Sequence, residues 1–275
     1  MDTIALQVPY EKAGLQAPQT PATLTSVCVA FTEENHMQNR PAVIICPGGG
    51  YDYCSEREAL PVAYRFAGYG VQAFVLEYST YRKPFPMALL ELAAAVAYVR
   101  ANAQQLQVDP DRIAVCGFSA GGHLAASLGV HWNHAVVTDV LGDPAAYRPN
   151  AQILCYPVIT AGDYTHQGSI DNLIGVDPAE EQRKMVALEQ QVSVDTPPAF
   201  LWHTSDDGCV PVRNSLDFMQ ALALQGISFE AHIYPMGGHG LSLSDETTMS
   251  GPWHDNPACA PWFASCIAWI RRGYR

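Results

Sequence analysis

The chain has no CxxC pair and no Cys/His spacing that fits a zinc site, although it carries eight cysteines at positions 28, 46, 54, 116, 155, 209, 259 and 266. That argues against a structural metal or a disulfide framework. Several of the cysteines sit inside apolar runs such as Ile113-Ala114-Val115-Cys116, where a free thiol behaves as a small hydrophobe. Basic residues are also scarce. Fifteen Lys and Arg face 27 Asp and Glu, for a net charge of −12, which leaves no footprint for nucleic acid. Long apolar runs are missing too: nothing approaches the ~20 residues needed to span a bilayer. The longest candidate, Met87 to Val99, is interrupted by Glu91 and stopped by Arg100, so it reads as a buried helix. The opening Met1-Asp2-Thr3 does not start a basic-then-apolar leader. The expectation is a cytoplasmic protein with reduced thiols, needing no metal or organic cofactor.

What remains is a hydrophobic fraction of 48% over 275 residues, enough for a sizeable core. Neither repeats nor an obvious linker divide the chain, so one domain over 1–275 is expected. Short apolar runs alternate with longer amphipathic ones, the pattern of a mostly parallel sheet with helices on both faces. Strands are predicted at Ala42–Cys46, Val71–Leu76, Arg112–Gly117, Ile153–Ile159, Ala199–Thr204 and Phe229–Tyr234, with an edge strand from Thr23 to Val29. Helices are predicted at Ala59–Phe66, Met87–Asn102, Gly121–Trp132, Val212–Leu224 and Trp262–Arg272. Residues 160–196 break the rhythm. They are long for a simple connection, hold a predicted helix from Pro178 to Glu189, and read as a small cap beside the site.

Four loops at predicted strand ends carry residues suited to chemistry. Gly117-Phe118-Ser119-Ala120-Gly121 is a GxSxG match between a strand and a helix, where a sharp turn pushes the serine hydroxyl into the open. Pro47-Gly48-Gly49-Gly50-Tyr51 exposes backbone N–H groups that an oxyanion hole could use. A phosphate loop fits less well, because no Lys-Ser or Lys-Thr follows the glycines. Asp206 and Asp207 compete as the acid that orients a histidine, after the strand ending at Thr204. His239, between Gly238 and Gly240, is the candidate base, with His254 its rival. Of the other histidines, His131 and His134 read as surface residues near a helix end. His123 reads as a brace for the nucleophile turn, and His203 as a partner for backbone. His36, His166 and His232 have no suggestive neighbours. The order Ser119, Asp207, His239 is the Ser…Asp…His order of α/β-hydrolases.

Taken together, these motifs make the chain resemble the acetyl-esterase-like branch of the α/β-hydrolase superfamily, small carboxylesterases that include xylan and sugar-ester esterases. The likeness runs from about Pro41 to the C-terminus. It rests on Pro47-Gly48-Gly49-Gly50-Tyr51, on Ser55-x-Arg57-Glu58-Ala59-x-Pro61, and on Gly117-Phe118-Ser119-Ala120-Gly121-Gly122-His123. It also rests on His203-Thr204-x-x-Asp207-x-x-Val210-Pro211 and Gly238-His239-Gly240. The resemblance implies an α/β-hydrolase fold, Ser119 as nucleophile, Asp207 as acid, His239 as base, and the N–H groups of Gly49, Gly50 and Ala120 as oxyanion hole. Tyr51, Tyr53 and Tyr164 are candidates to line the pocket, Tyr51 foremost as a substrate-binding residue. Two positions depart from the wider superfamily. Thr204 stands where many relatives have glycine after the histidine, and Pro47 where lipase-like relatives have a histidine. The implied activity is hydrolysis of short-chain acyl esters, with acetylated sugars among the expected substrates and a small-molecule partner. The alternatives are a serine peptidase of the prolyl-oligopeptidase type and a non-catalytic binding module on the same scaffold.

Overall fold

The computed structural model describes residues 1–30, 32, 34, 37 and 39–275. Among these residues, eight strands form one sheet in the order β1-β2-β4-β3-β5-β6-β7-β8. They are β1 (Thr3–Ala5), β2 (Thr23–Val27), β3 (Arg40–Cys46), β4 (Gln72–Glu77), β5 (Val108–Phe118), β6 (Ala151–Cys155), β7 (Ala199–Thr204) and β8 (Phe229–Tyr234). From β4 to β8 every pairing is parallel, while β1 and β2 add on antiparallel at one side. The central strands read as apolar runs because both of their faces are buried. Ala42, Ile44 and Cys46 of β3 join one core, and Val43 and Ile45 join the other. In β7, Ala199 and Leu201 face the first core, and Phe200 and Trp202 the second.

Helices cover both faces: α1 (Leu60–Gly68), α2 (Met87–Ala101), α3 (Ala103–Leu106), α4 (Ala120–His131), α5 (Ala135–Leu141), α6 (Gln167–Ile174), α7 (Glu180–Met185), α8 (Arg213–Leu224) and α9 (Pro261–Arg271). Residues of α2, α4 and α8 pack in the first core, and those of α1 and α9 in the second. Every residue of α4 is buried, which explains its almost uniformly small or apolar sequence.

Several predicted elements are corrected. Thr23 to Val29 is not the edge, because β1 lies outside it. The strand expected to run to Ile159 stops at Cys155, since Tyr156 adopts φ 37° and Pro157 brings no N–H to a ladder. The helix expected from Pro178 to Glu189 is shorter. It is α7 followed by a 3-10 turn at Leu188–Gln190.

The topology creates the crevice where the chemistry-bearing loops meet. β3 and β5 are neighbours, but the chain leaves β3 for β4 on one side and leaves β5 for β6 on the other. Ligands of open α/β sheets bind at such a divergence, beyond the carboxyl ends of the strands.

Candidate active site

Ser119 occupies the turn from β5 into α4 with φ 53° and ψ −119°, a backbone state that costs a non-glycine residue about 1–3 kcal/mol. Its surroundings hold it there. Its N–H donates to the Cys155 carbonyl, and its own carbonyl accepts from His123 and Val158. The turn can tuck under β3 only because position 121 is glycine: a Cβ there would run into the carbonyl oxygens of Cys46 and Pro47.

Ser119 Oγ lies 2.8 Å from Nε2 of His239, and His239 Nδ1 lies 2.7 Å from Oδ2 of Asp207. The carboxylate can only accept, so Nδ1 carries the proton and Nε2 is free to accept from the serine hydroxyl. Asp207 is buried, which by itself raises its pKa. Hydrogen bonds from His203 and His239 and from the Val210 N–H outweigh that effect and hold it well below the ordinary carboxylate range. Its Oδ1 accepts from the N–H groups of Cys209 and Val210. The buried His203 donates Nε2–H to the Val210 carbonyl and to Asp207 Oδ2, and its Nδ1 accepts from Ser215.

The loop carrying His239 is gripped by three consecutive residues of the loop that carries Asp207. Thr204 Oγ1 donates to the Gly238 carbonyl, Ser205 Oγ donates to the Pro235 carbonyl, and Asp206 Oδ1 accepts from the N–H groups of Gly237 and Gly238. Thr204, a departure from the wider superfamily, therefore has a structural task here. Asp206, the rival acid, braces the histidine loop without touching the imidazole. On the far side Arg57 donates to the carbonyls of Gly240 and Thr248. His254, the rival base, is bonded to Ser250 instead.

The glycine loop folds back against this assembly. The buried Glu58 accepts from the Gly48 N–H and from Tyr156 Oη, and Tyr156 Oη accepts in turn from the Ser242 N–H. Among the described residues the N–H groups of Gly49, Gly50 and Ala120 have no acceptor. Gly49, Gly50 and Ser119 all line one open cleft of about 340 Å³, together with His239, Arg57, Tyr53 and His166.

Tyr51 is not in that cleft. It is 3% exposed, and its hydroxyl donates to His123 Nδ1, so its ring has no surface to offer a substrate. It is corrected from pocket residue to brace. Tyr53 does line the cleft, whereas Tyr164 is exposed beside Arg213. His123 donates Nε2–H to the Val186 carbonyl, and so ties α4 to the 160–196 segment. His131, expected on the surface, is 1% exposed and donates in the same way to the Met185 carbonyl. His134 is exposed and caps α5, and His232 pairs with Glu230 at the sheet edge. His36 lies outside the described residues.

Sequence reasoning missed His166 and Asn172. Both belong to the 160–196 segment, which therefore borders the cleft. Asn172 Nδ2 donates to the Gly50 carbonyl and fixes the glycine loop from above. Only the folded chain brings these positions within reach of Gly50, and no local motif marks them. The segment is moored by Asn214, fully buried at the start of α8. Its Oδ1 accepts from Ile159 and Thr160, and its Nδ2 donates to the Tyr164 and Pro211 carbonyls.

The family model BD-FAE matches residues 30–222, well over half of the chain. The chain belongs to the BD-FAE family. This BD-FAE chain is 37% identical over 225 residues to endo-1,4-beta-xylanase B of Butyrivibrio fibrisolvens, covering 77% of this chain and 34% of that protein. It is 28% identical over 221 residues to an acetylxylan esterase of Xylanibacter ruminicola, covering 78% and 43% of the two. It thus spans less than half the length of these curated relatives. The crystal structure of an acetyl ester-xyloside bifunctional hydrolase from Caldicellulosiruptor lactoaceticus superposes with a TM-score of 0.86 at 34% identity, over 99% of this chain and 97% of that one. The BD-FAE chain has the α/β-hydrolase fold that its motifs led us to expect.

Proposed function

We propose that the chain is a serine carboxylesterase that removes short acyl groups, acetyl foremost, from sugar esters by way of an acyl-enzyme. The observation that carries this reading is the hydrogen-bonded chain Asp207–His239–Ser119, which ends in an open cleft beside unpaired backbone N–H groups. The relatives lend it the substrate class, since one is named an acetylxylan esterase and one an acetyl ester-xyloside hydrolase.

Ser119 Oγ attacks the ester carbonyl while its proton passes to His239 Nε2. Asp207 stabilises the resulting imidazolium, and His203 and two backbone N–H groups keep the carboxylate ionised and aimed. The carbonyl oxygen becomes an oxyanion and takes hydrogen bonds from the N–H groups of Gly49, Gly50 and Ala120. A single donor of this kind is typically worth about 10²–10³ in rate. His239 then returns the proton to the departing alcohol. A water molecule, deprotonated by His239, cleaves the acyl-serine and restores the hydroxyl.

The test is hydrolysis of p-nitrophenyl esters of increasing acyl length, of acetylated xylo-oligosaccharides and of an aminoacyl amide, with wild type beside Ser119→Ala. The expected pattern is fastest cleavage of acetate, release of acetate from the oligosaccharide, no amide cleavage and a dead variant. Amide cleavage in preference to esters would replace this reading with the peptidase, and inactivity on everything would leave a binding module.

A further inference from the structure

We propose that His166 determines specificity by donating a hydrogen bond from its Nε2–H to an oxygen on the alcohol side of the bound ester, so that hydroxyl-rich alcohols such as sugars are favoured. The inference rests on the esterase reading above and adds to it the residue that recognises the leaving group.

The imidazole sits just before α6 and lines the same cleft as Ser119 and His239. Its tautomer is set by the fold. Nδ1 lies 2.8 Å from Ser169 Oγ. Ser169 is completely buried, so water cannot take its hydroxyl proton, and Nδ1 is its one acceptor among the described residues. Nδ1 therefore accepts, and the ring proton stands on Nε2. Nε2 has no partner among the described residues and is not sealed from solvent, so it is open to the cleft. Partial burial, and then repulsion from His239 whenever that ring is protonated, push its pKa below the ordinary histidine value, which favours the neutral ring.

Its place in the wall decides what it meets. Gly168 and Asn172, on the same short helix, border both this cleft and a larger groove of about 670 Å³ that reaches to Arg82, Phe85 and Val176. An acetyl group fills little of this space, and the rest belongs to the alcohol. An alcohol running from Ser119 toward the groove passes His166. If it brings no acceptor, it covers Nε2–H and leaves the donor unpaired; a sugar hydroxyl satisfies it.

The experiment compares kcat/KM for an acetylated xylose with that for phenyl acetate, whose leaving group carries no acceptor beyond the ester oxygen. It uses wild type, His166→Ala, His166→Gln and Ser169→Ala. His166→Ala should lower the ratio of sugar ester to phenyl ester by about 10- to 100-fold, the worth of one unpaired donor, with most of the loss in KM. His166→Gln, which keeps a donor, should recover part of it. Ser169→Ala, which releases the tautomer and leaves the ring in place, should fall between. The proposal is overturned if His166→Ala lowers both substrates equally, as a purely structural role would, or leaves the ratio unchanged. Wild type that cleaves neither substrate would sink the esterase reading itself. Wild type that cleaves both, with a ratio insensitive to position 166, would sink this inference alone.

Discussion

Acid should loosen this protein through two histidines that do no chemistry. His123 and His131 lie on the buried helix α4 and donate to the carbonyls of Val186 and Met185, so they join the sheet's central helix to the 160–196 segment. Burial pushes both pKa values down to about 4. In the unfolded chain they return to about 6.5. The folded value is the lower one, so between these limits the unfolded chain binds protons that the folded chain refuses, and stability falls as pH falls. From pH 7 to pH 5 each site removes about 2 kcal/mol, and together they remove about 4 kcal/mol, against a usual total of about 5–15 kcal/mol. Urea titrations at the two pH values, followed by tryptophan fluorescence, measure the loss. His131→Gln keeps a donor for the Met185 carbonyl but cannot take up a proton, so it should cut the pH-dependent loss by about 2 kcal/mol. Equal stability of wild type at pH 7 and 5, or an undiminished loss in the variant, would refute the reasoning.

Three further outcomes are expected at the site. Asp207→Asn should keep the fold but lower kcat by about 10⁴, because the amide no longer enforces the proton on His239 Nδ1; near-wild-type turnover would remove Asp207 from the mechanism. Asp206→Ala frees the N–H groups of Gly237 and Gly238 and should lower kcat by about 10- to 100-fold through a looser histidine loop, with little change in KM; steady-state kinetics on p-nitrophenyl acetate checks this, and a loss confined to KM would contradict it. Gly49→Ala should abolish activity, since its φ of 126° suits glycine alone and a Cβ would collide with the Tyr53 carbonyl. Circular dichroism would show whether the fold survives, and an active, folded variant would dismiss the loop as the oxyanion site.

The inner strands were legible because double burial writes them as uninterrupted apolar runs. β1 was not, since it is three residues long and, among the described residues, pairs only with β2 at the rim. α6 was hidden by Gly168, Ser169 and Asn172, all weak helix formers, and packing of Ile170 and Leu173 overrides that propensity. His131 was misread because its position near a helix end says nothing of the 160–196 segment packed over it. Ser119, Asp207 and His239 could be read as motifs at strand ends, and the fold brings their side chains into hydrogen-bond contact. What holds them (Asp206 on the histidine loop, Glu58 between the glycine loop and Tyr156, Asn172 over Gly50) rests on long-range contacts that leave no local mark.

The central claim is that Ser119 is a nucleophile activated by His239. The measurement that meets it most directly is stoichiometric labelling with a p-nitrophenyl phosphonate, followed by peptide mass spectrometry. One phosphonyl group per chain on the peptide containing Ser119, lost in Ser119→Ala and strongly slowed in His239→Ala, is the predicted result. No adduct, or an adduct on another residue with Ser119 unmodified, would contradict the account.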